Sequence, residues 1–389
     1  MKLFEHKHLA YANAFQPADV VRLLQSGTEY FDTLMALIKA AQSSIQFHTY
    51  IFENDSIGTS ISNELINAAK RGLEISVIMD GYGSLGFSKL ILEEWKYYGI
   101  KVHLFSRISL FKNLAIGRRL HHKIFIADEY KSLVGGINIA DKYRGTIQEE
   151  PWLDFALYIE GDVCRQLKKI CDQIEERKFP VFNELKLPKY HGQNIPQINI
   201  RQNDWLRNKK QIHYSYLLAL EQAEREMYIV ASYFLPGRKL RKAMERAAKR
   251  GIKIKIVLAG KSDIPTFLNA SLYLYRWLLK NGIEVYEWHK SVLHGKLALV
   301  DDEWMTIGSF NLNHLSTYAS IELNVDVTDK DLVKSTRILM DKLIKSGCHQ
   351  IDRQRHRGVF QKLFEYVAYI AGRTLLKWIT YFPGVSRRI

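Results

Sequence analysis

The feature that most constrains how this chain can fold is an internal repeat, to be read before any local motif. In the first half, TEYFDTLMALIKAAQSSIQFHTYIF (Thr28 to Phe52) reads as an amphipathic helix running into a strand. A helix ending in AAKRG (Ala68 to Gly72) and the strand ISVIMD (Ile75 to Asp80) follow. In the second half, SYLLALEQAEREMYIVASYFL (Ser215 to Leu235) leads to AAKRG again (Ala247 to Gly251) and then to IKIKIVLAG (Ile252 to Gly260). Helical spacing alternates with short β-branched runs, and Gly72 and Gly251 stand where helices end. This predicts α/β layers around a sheet, built twice. The period is far too long for a solenoid, so duplication of one domain is the simpler account. Between the halves, Phe179 to Ile200 holds Pro180, Pro188 and Pro196 and reads as a connector. The expected organisation is an N-terminal domain over 1–190, a C-terminal domain over 191–350 and an amphipathic tail over 351–389.

A chain of 389 residues that is 47% hydrophobic and 12% aromatic is neither disordered nor collagen-like. Its formal charge of +15 calls for a negatively charged partner: nucleic acid, an anionic membrane face or a phosphate-bearing substrate. Cys164, Cys171 and Cys348 match neither a zinc pattern nor a disulfide framework, which fits reduced thiols in a cytosol-facing protein. The opening MKLFEHKHLAYANAF lacks the continuous apolar stretch of a secretory signal. No uncharged apolar run reaches the ~18 to 20 residues needed to span a bilayer. The chain is expected to lie on a membrane rather than cross one.

In each half, one segment carries unusual polar content in an apolar strand setting. HHKIFIADEYKSLVGGIN places His121, Lys123, Asp128, Gly135, Gly136 and Asn138; HGKLALVDDEWMTIGSFN places His294, Lys296, Asp301, Gly308, Ser309 and Asn311 at identical spacing. Side chains two apart on a strand share a face, so each half offers one imidazole beside one ammonium, with His122 turned away. The glycines permit tight turns or close approach of a ligand, and the asparagine amides can donate to an oxyanion. Packed about a pseudo-twofold axis, the halves would pool two histidines, two lysines and two asparagines around one phosphate. One neutral imidazole can attack phosphorus while a protonated one supplies a proton to the departing alkoxide. Lysine is a poor metal ligand at neutral pH and no carboxylate or cysteine cluster completes a shell, so no catalytic metal and no cofactor are expected.

This paired pattern resembles the phospholipase D superfamily, whose signature is His-x-Lys-x4-Asp-x6-Gly-[Gly/Ser]-x-Asn present twice. Within it, HTYIFENDSIGTSISNELINAAKRGLEISVIMDGYGS, HHKIFIADEYKSLVGGINIAD, WLDFALYIEG and GSFNLNHLSTYASIELNVDV look most like bacterial cardiolipin synthases. The resemblance implies two similar phospholipase D-like domains, each a mixed sheet flanked by helices, with the active site at their interface. It also implies exchange through a phosphohistidine, in which one phosphatidylglycerol loses glycerol and a second resolves the intermediate to cardiolipin. Carried over, the catalytic set is His121, Lys123, Asp128, His294, Lys296 and Asp301, with His121 the nucleophile. Asn138, Ser309, Asn311, Glu322 and Asp154 complete the site around the substrate. Glu322 resembles the family glutamate that holds an imidazole, and Asp154 in WLDF occupies a comparable place after the first motif. Asp128 and Asp301 belong to the motif, yet their odd spacing from the lysines turns them to the other strand face and reads as structural anchoring.

Many cardiolipin synthases begin with two membrane-spanning helices, whereas here the repeat starts at about residue 20 with none. Attachment is therefore expected from the surface, as a peripheral protein on the cytoplasmic side of a bacterial inner membrane. Two segments suit that role. RISLFKNLAIGRRLHH (Arg107 to His122) sets Leu110, Phe111, Leu114 and Ile116 beside Lys112, Arg118 and Arg119. The tail from Val359 to Phe382 has helical apolar spacing with Lys362, Arg373 and Lys377 opposite, and Arg387 and Arg388 follow. The expected partners are phosphatidylglycerol, cardiolipin and the membrane surface, with no nucleic acid. A hydrolase of the same superfamily, acting as a phospholipase D or a nuclease, and a non-catalytic module binding anionic lipid are the alternatives.

Overall fold

The computed structural model describes residues 15–106, 119–176, 195–204, 209–313, 316–317, 320–352, 367 and 369–370. Most of the loop before His121, most of the connector and nearly all of the tail lie outside these residues.

The first half supplies β1 (Gln16–Pro17), β2 (Val20–Gln25), β3 (Ser44–Thr49), β4 (Glu74–Asp80), β5 (Lys101–Phe105), β6 (Arg119–Leu120), β7 (Lys123–Ala127), β8 (Lys131–Gly135) and β9 (Phe155–Glu160). The second supplies β10 (Gln197–Asp204), β11 (Lys209–Lys210), β12 (Glu226–Ala231), β13 (Lys253–Ala259), β14 (Glu284–Trp288), β15 (Lys296–Val300), β16 (Trp304–Gly308), β17 (Ser320–Val327) and β18 (Cys348–Gln350). One sheet runs β2-β9-β8-β7-β3-β4-β5; the other contains β10-β17-β16-β15-β12-β13-β14 flanked by β1 and β18. Strand for strand the order is the same twice. In both sheets the three strands at the helix-linked end are parallel and the others antiparallel.

The repeated AAKRG has a physical reason. Gly72 and Gly251 take φ of +92° and +90°, the left-handed conformation that ends a helix at little cost for glycine. The arginine before each glycine reaches carbonyls at the end of the preceding helix: Arg71 bonds the oxygens of Ile38 and Ala41, and Arg250 those of Leu220 and Ala223. One side chain thus ties two helices and a turn together in each half.

Both faces of each sheet are covered, which is why KIFIA and KLALV are apolar throughout. Ile124, Ile126, Leu157 and Ile159 share one core with Leu297, Leu299, Leu323 and Val325, so the sheets meet face to face. Phe125 and Ala127, pointing the other way, pack with Phe47 and Val77 under the first half's helices. Ala298 and Val300 do the same with Ile254 and Ile256 in the second half. Each fully buried aliphatic side chain contributes about 1.5 to 3 kcal/mol, so the shared core holds the halves as one body. Cys164 and Cys171 are free thiols buried in this core, and Cys348 is free and half-buried.

The halves also exchange backbone. β1 pairs with β10, and β6 runs parallel to β17, with Ser320 opposite Arg119 and Ile321 opposite Leu120. An isolated bridge joins Leu153 to Leu293. In the tail, Tyr369 is buried and stacks on Tyr273 with ring centroids 4.7 Å apart, while Val367 and Ile370 are exposed. No helix among the described residues is long and apolar enough to cross a membrane.

Candidate active site

The exchanged backbone sets the two histidines. His121 N–H donates to the Ile321 carbonyl at 3.0 Å, and His294 N–H donates to the Leu153 carbonyl at 2.8 Å. The residue after each of those carbonyls is an acid. His121 Nδ1 therefore lies 2.9 Å from Glu322 Oε2, and His294 Nδ1 lies 2.5 Å from Asp154 Oδ2. Each imidazole is held by the carboxylate of the opposite half. Asp154 and Glu322 occupy equivalent places: Gly135 pairs with Ala156 and Gly308 with Asn324, so each acid stands two residues before its motif glycine's partner. A carboxylate accepting from Nδ1–H leaves the lone pair on Nε2. Both rings are thereby set as bases.

Small residues make this possible. A Cβ on Gly136 would lie 2.4 Å from Asp154 Oδ1, so only glycine leaves room for the acid. Ser309, at the matching place, donates its hydroxyl to Glu322 Oε2 at 2.5 Å. Ser309 is fully buried and also receives Leu323 N–H, so it supports Glu322.

The lysines sit beside the rings. Lys123 Nζ donates to the His121 carbonyl at 2.6 Å, and Lys296 donates to the His294 carbonyl. Burial, with the neighbouring Lys296, pushes the Lys123 ammonium down to about 7. Burial likewise pushes Lys296 down to about 8, against the pull of Asp154. Burial raises the Asp154 carboxyl to about 6. His294 is held well below its ordinary value by burial and by both lysines, and His121 is lowered by burial despite Glu322. Lys123 and Lys296 each act on the other half's histidine, and His121 acts on His294, so all four groups share one electrostatic site.

Asn311 Oδ1 accepts from Ser232 Oγ at 2.8 Å, which leaves the hydrogens of its amide nitrogen as its donors. Asn138 accepts from Ile51 N–H and donates to the Tyr143 hydroxyl at 2.8 Å. Its part is thus shared between holding a loop and orienting a ring. Tyr143 of the first half stands edge-on to His294 of the second, with centroids 5.3 Å apart, and Trp152 lies 6.2 Å away. Tyr50 stands 5.0 Å from His121, and Tyr233 stands 6.4 Å from His294. This aromatic wall was missed in the sequence. The repeat gives no clear signal for it, because the strand register aligns Tyr50 with Ser232 and Tyr233 with Ile51. Asp80, also missed, accepts from Leu120, Tyr82 and Gly83 N–H and so fixes the chain entering His121.

Asp128 and Asp301 each hold backbone of their own half. Each lies just past its strand at φ near +54°, as φ +53° and +55°, roughly 16 Å along the chain from its motif lysine. Asp128 accepts from the backbone of Gln42, Ser43 and Ser44, and Asp301 from Glu224, Arg225 and Glu226. Each clamps the turn to the start of the central strand. His122 points away from the site, with Nε2 3.0 Å from His48 Nδ1 in a buried stacked pair.

The sequence profile described as "Cardiolipin synthase, PLD-like domain" matches residues 34–152 and 216–344, once in each half and over more than half of the chain. The chain belongs to this family. It is 30% identical over 352 residues to cardiolipin synthase B of Shigella flexneri, covering 87% of this chain and 84% of that protein. It is also 30% identical over 356 residues to a cardiolipin synthase of Staphylococcus aureus, covering 90% of this chain and 72% of that one. The crystal structure of phosphatidylserine synthase from Haemophilus influenzae superposes on this family member with a TM-score of 0.76 at 16% identity. That match covers 95% of this chain and 98% of the other, and at such identity it speaks for the fold alone.

Proposed function

We propose that the chain is a phosphatidyltransferase that makes cardiolipin from two phosphatidylglycerols and releases glycerol. The observation that carries this reading is the pair of crossed imidazole–carboxylate dyads in a single buried, lysine-lined site. His121 Nε2 attacks phosphorus, and the phosphorus–oxygen bond to glycerol breaks as His294 Nε2–H gives that oxygen its proton. The glycerol hydroxyl of a second phosphatidylglycerol then returns its proton to His294. Its oxygen attacks phosphorus, the N–P bond breaks and cardiolipin leaves. Bond energy is conserved, so no nucleotide is required. The anionic phosphodiester offsets the lysine charges that hold His294 down, which lets it carry a proton when substrate is bound. Lys123, Lys296 and Asn311 stabilise charge on the non-bridging oxygens, while Asp154 and Glu322 act as positioning residues.

The same reading divides the chain at about residue 190, with 351–389 as a tail, and places the protein peripherally on a membrane. The cytosolic side is supported by the free thiols. Purified protein with phosphatidylglycerol vesicles tests the reaction. Cardiolipin and glycerol in equal amounts support it; phosphatidic acid alone means hydrolysis, and no turnover means lipid binding without catalysis.

A pH profile follows from the same groups. As pH falls through about 6, Asp154 takes up a proton and ceases to hold His294 as a charged acceptor. As pH rises through about 7 to 8, Lys123 and Lys296 lose the charge that stabilises the transition state. The expected kcat/KM is a narrow bell with its maximum between these limits. A profile flat from pH 5 to 9 would contradict these assignments.

A further inference from the structure

The pseudo-twofold symmetry of the site breaks where β4 and β13 end. β4 ends in Asp80, followed by Gly81, and β13 ends at the matching point in Ala259, followed by Gly260. In the first half the carboxylate is internal: Asp80 is fully buried, accepts three backbone N–H groups and lies 3.7 Å from Arg119. In the second half the carboxylate appears four residues later, as the exposed Asp263. Tyr233 donates its hydroxyl to Asp263 Oδ1 at 2.6 Å, and Ser262 Oγ lies 3.5 Å from the same oxygen. In the first half Tyr50, one position earlier in the strand register than Tyr233, donates to no carboxylate among the described residues. The two sides of the phosphate site are therefore chemically different. The His294 side carries a negative hydrogen-bond acceptor at its mouth, and the charge of Asp263 is felt at His294, Lys296 and Tyr143.

In an in-line displacement the nucleophile and the alcohol oxygen lie on opposite sides of phosphorus. By microscopic reversibility the departing and the incoming alcohol use the same side. If His121 attacks, that side is His294's. Resting on the function proposed above, we propose that Asp263 and Tyr233 form the subsite for a hydroxyl-bearing lipid headgroup, serving in turn the departing glycerol and the glycerol of the acceptor. A carboxylate accepts hydrogen bonds from hydroxyls that are not themselves being esterified. Lys123 and Lys296 close by disfavour a cationic headgroup, which a lone acidic residue would otherwise attract. Holding the polyol also gives it an advantage over water through proximity.

The test compares kcat/KM for phosphatidylglycerol, phosphatidylethanolamine and phosphatidylpropanol, whose headgroup has no second hydroxyl, in vesicles of otherwise equal composition. The wild-type chain should prefer phosphatidylglycerol to both. Asp263→Ala should lower the phosphatidylglycerol to phosphatidylpropanol ratio about tenfold, the loss expected for hydrogen bonds to a charged acceptor. Tyr233→Phe, which keeps the ring and removes the hydroxyl, should move that ratio in the same direction. Asp263 is exposed, so its replacement leaves the core intact. A ratio unchanged in both variants while the wild type still turns over overturns the subsite alone, as does a wild-type preference for phosphatidylethanolamine. A wild-type chain that releases no glycerol overturns the subsite together with the function.

Discussion

Replacing His121 by alanine should lower turnover of phosphatidylglycerol by about 10⁴-fold or more and abolish covalent capture of the phosphatidyl group. The reason is that covalent and acid–base roles are divided between two rings that share one phosphorus, and neither can do the other's work from its side. His294→Ala should be as damaging with phosphatidylglycerol, because an alkoxide leaves poorly without a proton. The two variants should part with a donor whose leaving group is an aryl oxide, stable enough to depart unprotonated. On that donor His294→Ala should still accumulate an acid-labile phosphoramidate on His121, whereas His121→Ala should form none. Mass spectrometry of the quenched protein reads the adduct and its site. An adduct on His294 in the wild-type chain would reverse the roles, and with them the side on which the headgroup is held.

The parts of this site that repeat were legible in the sequence. His121 and Lys123, like His294 and Lys296, are two apart in extended chain, each lysine opening a strand just after its histidine, and that local period needs no knowledge of the fold. Asp128 and Asp301 were legible for the same reason, since their odd spacing already removed them from the face that the lysines occupy. The site of each pairing was not legible. That His121 is held by Glu322 and His294 by Asp154 follows from β6 lying along β17 and Leu153 along Leu293. Those contacts join segments far apart in the chain and are specified by the shared core of the two sheets, which no local pattern encodes. A serine beside a phosphate motif has the right chemistry for a ligand, and only the coordinates show the Ser309 hydroxyl bonded to Glu322. Asp263 escaped notice for the opposite reason, because it lies where the repeat departs from itself and no spacing rule marks it.

The crossing of the dyads has an energetic consequence. A half that moved away from its partner would lose the carboxylate on each imidazole at once and leave Asp154 and Glu322, both fully buried, without their imidazole partners. An unpaired buried charge is strongly destabilising, so the catalytic geometry and the seating of the two sheets stand or fall together. It concentrates the cost of function on the two lysines, which have no opposite charge within bonding distance among the described residues.

Lys123→Met should therefore stabilise the protein while removing most of its activity. In the folded chain burial and Lys296 hold Lys123 down at about 7, from an ordinary value of 10.5. At about 1.4 kcal/mol per pH unit, that difference amounts to about 5 kcal/mol of destabilisation at pH 7 and below. The unfolded chain binds the proton more tightly, so between pH 7 and 10.5 wild-type stability rises with pH and the penalty shrinks to nothing at the upper limit. Methionine has similar length and carries no charge, though it gives up the hydrogen bond to the His121 carbonyl, worth about 1 kcal/mol. The expected net gain is about 3 to 4 kcal/mol at pH 7, falling steadily as the pH is raised. Urea unfolding of both proteins at pH 7, 8.5 and 10 measures it, beside a fall in kcat of about 10² to 10³ from the lost stabilisation of charge on the phosphoryl oxygens. A gain that stays constant with pH would assign it to packing. No gain at all would mean that the Lys123 ammonium is not strained in the free enzyme, and the alkaline limb of the activity profile would then have to come from another group.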